Sequence, residues 1–480
     1  MNRIGVLGAG LAGLALGIVG ATEPVRAQSL EEVLVETYET NPRLQAARAQ
    51  LRSINEQVSQ AYARYRPNAA IVGSSQGSQS ELSDVEGQGG TTADQSQTLW
   101  TNRIALNLSQ NIYEGGGTVA RIDSAVRQVG QQRANLQTTE QEIFLQAVTA
   151  YTDVVAATRV VQLAINNEDR LERQRQATVD RFEVGEVTRT DVAQAEARLA
   201  GAVADRITAE GQLAQAIARF EQVVGFRPDD LTTRAAGLSR PASLLEAQAR
   251  AEKNPLLTAA EFGVDVALAD VRVAQAALLP TVDLEGSLGY TDEPSDTIGS
   301  QTDASITATV TIPLYQTGAE YSRVRQQKQV VDQRRRELDD TRREVNQRVT
   351  SAWEELLTAS AEARSFEEQV RANEIALEGV RTEAQVGART VLDVLDAEQE
   401  LFQSQVDLVR ARADEVVALY TLRQAMGELT AAALELDVET YEPSAHFRTV
   451  RTQAFGTRPG RATTPLQDID FSREWGLVDE

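Results

Sequence analysis

Residues 302–315 read TDASITATVTIPLY, and their alternation decides the fold class. Ala304, Ile306, Ala308, Val310, Ile312 and Leu314 take every second position, with Ser305, Thr307, Thr309 and Thr311 between them. A side-chain period of two places all the apolar groups on one face of an extended chain and the hydroxyls on the other. The pattern recurs at 281–290 through Val282, Leu284, Leu288 and Tyr290, and at 100–109 through Trp100, Ile104, Leu106 and Leu108. A fourth segment, 68–80, is mostly small and polar. Segments of about ten residues with one apolar and one polar face are the mark of transmembrane barrel strands, although alternation alone fits a soluble hairpin equally well. The rest of the chain favours the membrane reading, because its helices carry their own apolar seams and offer no core to cover these faces. The connecting stretches at 83–97 and 291–300 are polar, as exposed loops are. Four strands cannot close a barrel, and open edges are not tolerated in lipid. Spanning strands therefore imply eight, twelve or sixteen from a dimer, trimer or tetramer.

Working outward, the chain repeats itself. Asn41-Pro42 recurs as Asn254-Pro255 and Pro67 as Pro280, each 213 residues on; Tyr113 then matches Tyr315, Gly116 Gly318, Val184-Gly185 Val386-Gly387, Asp191 Asp393 and Gly225 Gly427, each 202 on. A period this long is a duplicated substructure and not a solenoid unit. The change of offset lies wholly between the proline and the tyrosine, so insertion is confined to the strand region. The divisions are a leader at 1–27, a first repeat at 28–226 with strands over about 67–113, a break at 227–241, and a second repeat at 242–428 with strands over about 280–315. The remainder, 429–480, is rich in Pro, Gly, Thr and Arg and reads as largely disordered.

No proline occurs between Pro67 and Pro228 or between Pro313 and Pro443. Apolar residues at three- and four-residue spacing, such as Ile143, Ala147, Ala150 and Val154, or Val345, Val349, Trp353 and Leu356, predict long helices with coiled-coil seams. Helices over 117–184 and 318–386 are each about 100 Å long at 1.5 Å per residue. Shorter helical stretches at 30–66, 188–224, 242–279 and 389–427 are each roughly 55 Å, so two laid end to end match one long helix.

Composition removes most chemistry. There is no cysteine, hence no disulfide, thiolate metal site or lipidation point, and the single histidine, His446, sits alone in a polar tail and reads as solvated. No cofactor, metal or catalytic constellation is visible, and an enzyme is not expected. A net charge of -23 argues against nucleic acid. Residues 1–27 combine an arginine, a small-residue apolar run and a Val25-Arg26-Ala27 end, the form of a secretory leader. After it no stretch approaches the 18 apolar residues of a spanning helix.

The Asn-Pro starts at 41 and 254, the RYRP and ALLP entries to the strands, RFEVGEVTRTDV at 181–192 and QVGARTVLDVLDAE at 385–398 together resemble the TolC family of outer-membrane efflux and secretion channels. The resemblance spans essentially the whole chain beyond the leader. It implies an α+β membrane protein, a homotrimer in which each chain gives four strands to a twelve-strand barrel continued by a helical periplasmic tunnel. It also implies an exit duct for drugs, other small molecules or unfolded polypeptides, docked through a periplasmic adaptor to an inner-membrane ABC or proton-driven transporter.

Each Val-Gly turn lies about 100 Å from the strands and forms the periplasmic tip. Asp393 and Asp396, three apart, share a helix face, and three chains would gather six carboxylates into a ring that favours cations. Asp393 equally fits a Thr390-x-x-Asp393 capping box, matched by Thr188-x-x-Asp191; Asp396 fits no cap. The resemblance further implies a gating network of Arg389 with Thr190 and Asp191, lacking the family's tyrosine, which is Ala384 here. Gly185 and Gly387 are the expected adaptor-docking turns. The competing readings are an adhesive coiled-coil surface protein, which leaves the amphipathic strands unexplained, and a periplasmic adaptor, whose lipoyl-like β-domain is not visible.

Overall fold

A computed structural model describes residues 28–86, 92–229, 231–232, 240–295 and 298–457, so the leader lies outside the described residues. In the first repeat the order is α1 (Leu30–Thr40), α2 (Pro42–Tyr62), β1 (Asn68–Glu86), β2 (Thr92–Glu114), α3 (Gly117–Glu183) and α4 (Arg189–Val224). The second runs α5 (Leu244–Ala251), α6 (Pro255–Ala276), β3 (Thr281–Ser295), β4 (Ile298–Thr311), α7 (Ala319–Gln385) and α8 (Val391–Met426), and α9 (Pro443–Val450) follows. The long helices have 67 residues in both repeats, and α4 and α8 have 36 each.

The stretches 30–66 and 242–279 are each two helices instead of one, and the Asn-Pro pairs explain the break. The Asn41 side chain accepts from the N–H groups of Arg43 and Leu44, and Pro42 opens α2, where its missing donor costs nothing. Asn254 caps α6 in the same way through Leu256. Each asparagine amide also donates to the end of its repeat's shorter coiled-coil helix, Asn41 to Val223 O and Asn254 to Ala425 O, both at 2.8 Å. One residue type thus caps one helix and terminates another, twice.

The rod is a coiled coil with a heptad of small residues. Ala195, Ala202, Ala209 and Ala216 are buried along α4, and Ser404, Ala411, Ala418 and Ala425 along α8, each seven apart. Such a spacing keeps one stripe of a slightly underwound helix against its neighbour, and small side chains let the axes approach closely. Ile143, Ala150, Ala164, Leu171 and Thr178 supply the facing stripe of α3. Laterally, α2, α3, α6 and α7 stand side by side in the half nearer the strands, and α4, α3, α8 and α7 in the half nearer the turns. Among the described residues α3 is the one helix long and apolar enough to cross a membrane. Its apolar residues Ile143, Phe144, Ala147 and Val148 are instead wholly buried in the main core, with Leu34, Leu51 and Phe220.

The four strands form one antiparallel sheet in the order β1-β2-β3-β4. Register turns the alternation into rows: Ile71, Leu106, Leu288 and Ala304 lie side by side, as do Ala69, Leu108, Gly286 and Ile306. The intervening rows on the other face hold Ala70, Asn107, Ser287 and Ser305, then Asn68, Ser109, Glu285 and Thr307. Exposure of the apolar face is extreme, with Ile306 83% and Ile71 73% accessible.

The tail departs from expectation. Residues 429–457 fold back along α2 and α3, and 458–480 lie outside the described residues. The Tyr441 N–H donates to Tyr38 Oη at 2.9 Å, Ser59 Oγ and Arg66 Nη1 donate to Gln453 O, and Arg48 stacks 4.2 Å from the Tyr38 ring and 5.4 Å from that of Tyr441. Cation–π contacts of this kind are worth about 0.5–2 kcal/mol, enough to hold a segment with few apolar residues. His446 is correspondingly not solvated: it is largely buried beside Asn55 and Glu56, and burial lowers its pKa.

Candidate functional site at the helical tip

Both turns are built alike. Gly185 has φ +81° and Gly387 φ +77°, the left-handed region that costs other residues about 1–2 kcal/mol, while a Cβ at either would meet nothing within 4 Å. The glycines are there for backbone conformation, not for space. The Gly185 N–H bonds Phe182 O and Glu186 N–H bonds Arg181 O, both at 2.9 Å; Gly387 and Ala388 repeat this on Ala384 O and Glu383 O. The next helix then starts on a reciprocal capping box, Thr188 with Asp191 and Thr390 with Asp393. In both, the aspartate Oδ2 accepts from the threonine N–H and hydroxyl within 2.9 Å. Thr390's N–H, then its hydroxyl, and Arg389 hold the Asp393 carboxyl below the usual range.

The charges on this frame are reversed between copies. Arg181 Nε donates to Glu186 at 3.1 Å across the first turn, whereas Arg389 Nε donates to Glu383 at 2.8 Å across the second. Arg181 and Glu383 are equivalent positions, 202 apart. Within this chain Arg389 is therefore engaged in its own turn, and Thr190 and Asp191 are not among its partners. Asp396 does have one: Arg198 of α4 donates to it, joining the two hairpins. Arg198 escaped the sequence reading because its partner is 198 residues away.

Behind this ion pair, Val391 and Leu395 of α8 pack with Leu171, Ala195 and Ala202 of the first repeat. One turn further from the tip Glu398, 2% exposed, accepts from Arg381 at 2.7 Å. The pKa of Arg170 is lowered by burial, an effect that Glu398 opposes. A buried charge is retained only when opposed, so removing one member would be strongly destabilising. The second hairpin thus rests on the first through an apolar patch and the exposed Arg198–Asp396 ion pair, while the buried Arg381–Glu398 pair joins α7 to α8 within the second hairpin. Phe182, Val184, Val386 and Leu392 leave an apolar surface at the extreme end.

This arrangement of two coiled-coil hairpins, each tipped by a Gly turn and a Thr–Asp cap and rooted in two amphipathic strands, matches a known group. The sequence profile described as outer membrane efflux protein fits residues 33–226 and 245–428, nearly the whole of both repeats. The chain belongs to the outer membrane efflux protein family. The outer membrane efflux protein BepC of Brucella suis is 36% identical over 93% of this chain and 95% of its own. The outer membrane protein TolC of Vibrio cholerae is 27% identical over 87% and 94%. The solved structure of the outer membrane protein VceC of Vibrio cholerae superposes with a TM-score of 0.69 at 20% identity, over 83% of this chain and 96% of that one. The fold is accordingly that of the TolC-like channels. As a member of the outer membrane efflux protein family, the protein is an outer-membrane exit duct, a channel and not an enzyme.

Proposed function

We propose that three copies close into a twelve-strand barrel and a helical tunnel, open to a periplasmic adaptor and an inner-membrane transporter at the tip. The observation that carries this reading is the pair of unsatisfied edges. β1 and β4 end the sheet with free backbone groups, and α7 packs on α6 and α8 on one side. An edge of this kind in lipid must be paired. Joining β4 of one copy to β1 of the next satisfies every strand at once.

Interfacial aromatics support the span. Trp100 and Tyr290 are exposed toward one end of the apolar face, and Tyr65, Tyr113 and Tyr315 at the other. Trp100 to Tyr113 covers roughly 40 Å along an extended strand. At the usual tilt of a barrel strand this is about 30 Å across the membrane, close to the height of an apolar band with its aromatic girdles.

Asp393 and Asp396 form the cation-favouring constriction in this reading, with Asp393 serving as helix cap and ring member together. Arg389, now bound to Glu383, is free to exchange toward Thr190 and Asp191 of a neighbouring hairpin. The turns at Gly185 and Gly387, with Val184 and Val386 exposed beside them, supply the adaptor surface. Small-molecule export is favoured over polypeptide export by the 36% identical relative described as an efflux protein.

The native chain has no cysteine, which makes single-cysteine mapping clean. In reconstituted protein, Ser305→Cys reacts with a water-soluble maleimide and Ile306→Cys only with a lipid-soluble one; equal reactivity would rule out the spanning barrel. On this reading the detergent-solubilised particle should have the mass of three chains, and the mass of one chain would contradict it.

A further inference from the structure

Arg103 is the one basic residue in the four strands, and it crosses a strand to find its partner. It lies on β2 and Asp303 on β4, with β3 between, yet Arg103 Nη2 donates to Asp303 Oδ2 at 3.1 Å. The bridge passes over Gly289, which pairs with Ala105 on one side and with Asp303 on the other. A Cβ at 289 would stand 2.8 Å from Asp303 Oδ1 and 2.9 Å from Arg103 Nη2. Any larger residue would displace the guanidinium, the carboxylate or both. The glycine is what lets the two side chains meet this close to the backbone.

The bridge lies on the polar face, with Asp283, Glu285, Ser287 and Ser305, opposite the row of Leu106, Leu288 and Ala304. If the barrel closes as proposed above, on which this inference rests, that face lines the lumen. Asp283 accepts from Asn111 Nδ2 at 2.7 Å, a neutral donor that leaves its charge uncompensated, and among the described residues Glu285 has no ion-pair partner.

We propose that Arg103 is a selectivity-determining residue of the barrel lumen: laid over Gly289 and neutralised by Asp303, it leaves Asp283 and Glu285 as carboxylates without an ion-pair partner on the described part of that wall. Two carboxylates per chain make the outer half of the duct cation-favouring independently of the tip. Fixed charge on a narrow wall acts on permeant ions through its local potential, so cancelling or exposing one charge per chain is readable as selectivity. Holding the guanidinium flat also keeps its long side chain out of the passage.

The test is the reversal potential under a KCl gradient in planar bilayers, with Asp393→Asn and Asp396→Asn present in every protein so that the tip does not dominate. Arg103→Gln shifts selectivity toward cations, Asp303→Asn shifts it away from them, and the double variant Arg103→Gln, Asp303→Asn returns to the parent value. Gly289→Ala keeps every charge and lowers single-channel conductance. Single variants that leave the reversal potential unmoved, or move it in the same direction, overturn the proposal. So does a result in which only thermal stability changes, because the pair would then be a structural staple. Failure of the barrel reading is separate and shows as equal reactivity of Ser305→Cys and Ile306→Cys toward the water-soluble reagent.

Discussion

The two tips share a backbone and differ in charge. Each has a left-handed glycine, a pair of closing hydrogen bonds and a Thr–Asp capping box, in the same order and at the same spacing. Over that frame the first copy carries Arg181 against Glu186, the second Glu383 against Arg389, and only the second adds Asp396 where the first has Gln194. Backbone-determining positions are held because the hairpin fails without them. The solvent-facing ones are free to diverge, and there the copies differ in charge; in the function proposed above, the first hairpin supports and the second carries the constriction.

The largest expected asymmetry is in cation block. Asp393→Ala with Asp396→Ala weakens block by multivalent cations in planar bilayers by about tenfold or more, which corresponds to at least about 1.4 kcal/mol of lost binding. Asp191→Ala, removing the equivalent carboxylate of the first copy, changes it little. Equal effects would erase the distinction between the tips.

Next come the caps, where the copies should agree. Thr188→Val and Thr390→Val each cost about 1 kcal/mol of local stability. Hydrogen exchange at the first turns of α4 and α8 should therefore speed up to a similar extent in both. A loss confined to one copy would mean that the shared geometry is not shared energetics.

A smaller effect comes from the contact between hairpins. Arg198→Gln releases Asp396 and strengthens cation block by about two- to threefold, the scale of an exposed ion pair worth 0–1 kcal/mol. Weaker block would show that Arg198 positions Asp396 in the ring and does not screen it.

The smallest is the pH response of the α8 cap. Because the Asp393 pKa is lowered in the folded chain, its ionised form contributes stability above the ordinary carboxylate value, and that contribution is lost as pH falls through the lowered one. Exchange protection at the start of α8 should thus decline only below the ordinary aspartate range, and Asp393→Asn should flatten the curve.

Much of this was legible because local chemistry and periodicity carried it. The long helices end within a residue or two of the glycines that bracket them, and the strand faces follow from alternation alone. The Asn-Pro pairs are visible as repeat markers and their caps are local, but the amide's second role, meeting the carbonyl of a residue 182 positions away, is not legible from sequence. The order of residues 429–457 is not legible from sequence because their anchors, Tyr441, Phe447 and Val450, are sparse, and they pack against Arg48, Tyr38 and Arg133 contributed by distant helices. At the tip, Asp393 could be read as cap or ring. The geometry makes the cap plain, and the proposed ring would need three chains together.

If like hairpins have unlike roles, single-channel conductance shows it most directly. Arg389→Ser should raise the conductance of the resting channel while Arg181→Ser leaves it near the native value. Equal increases, or no change with Arg389→Ser, would contradict the assignment of the gate to the second copy.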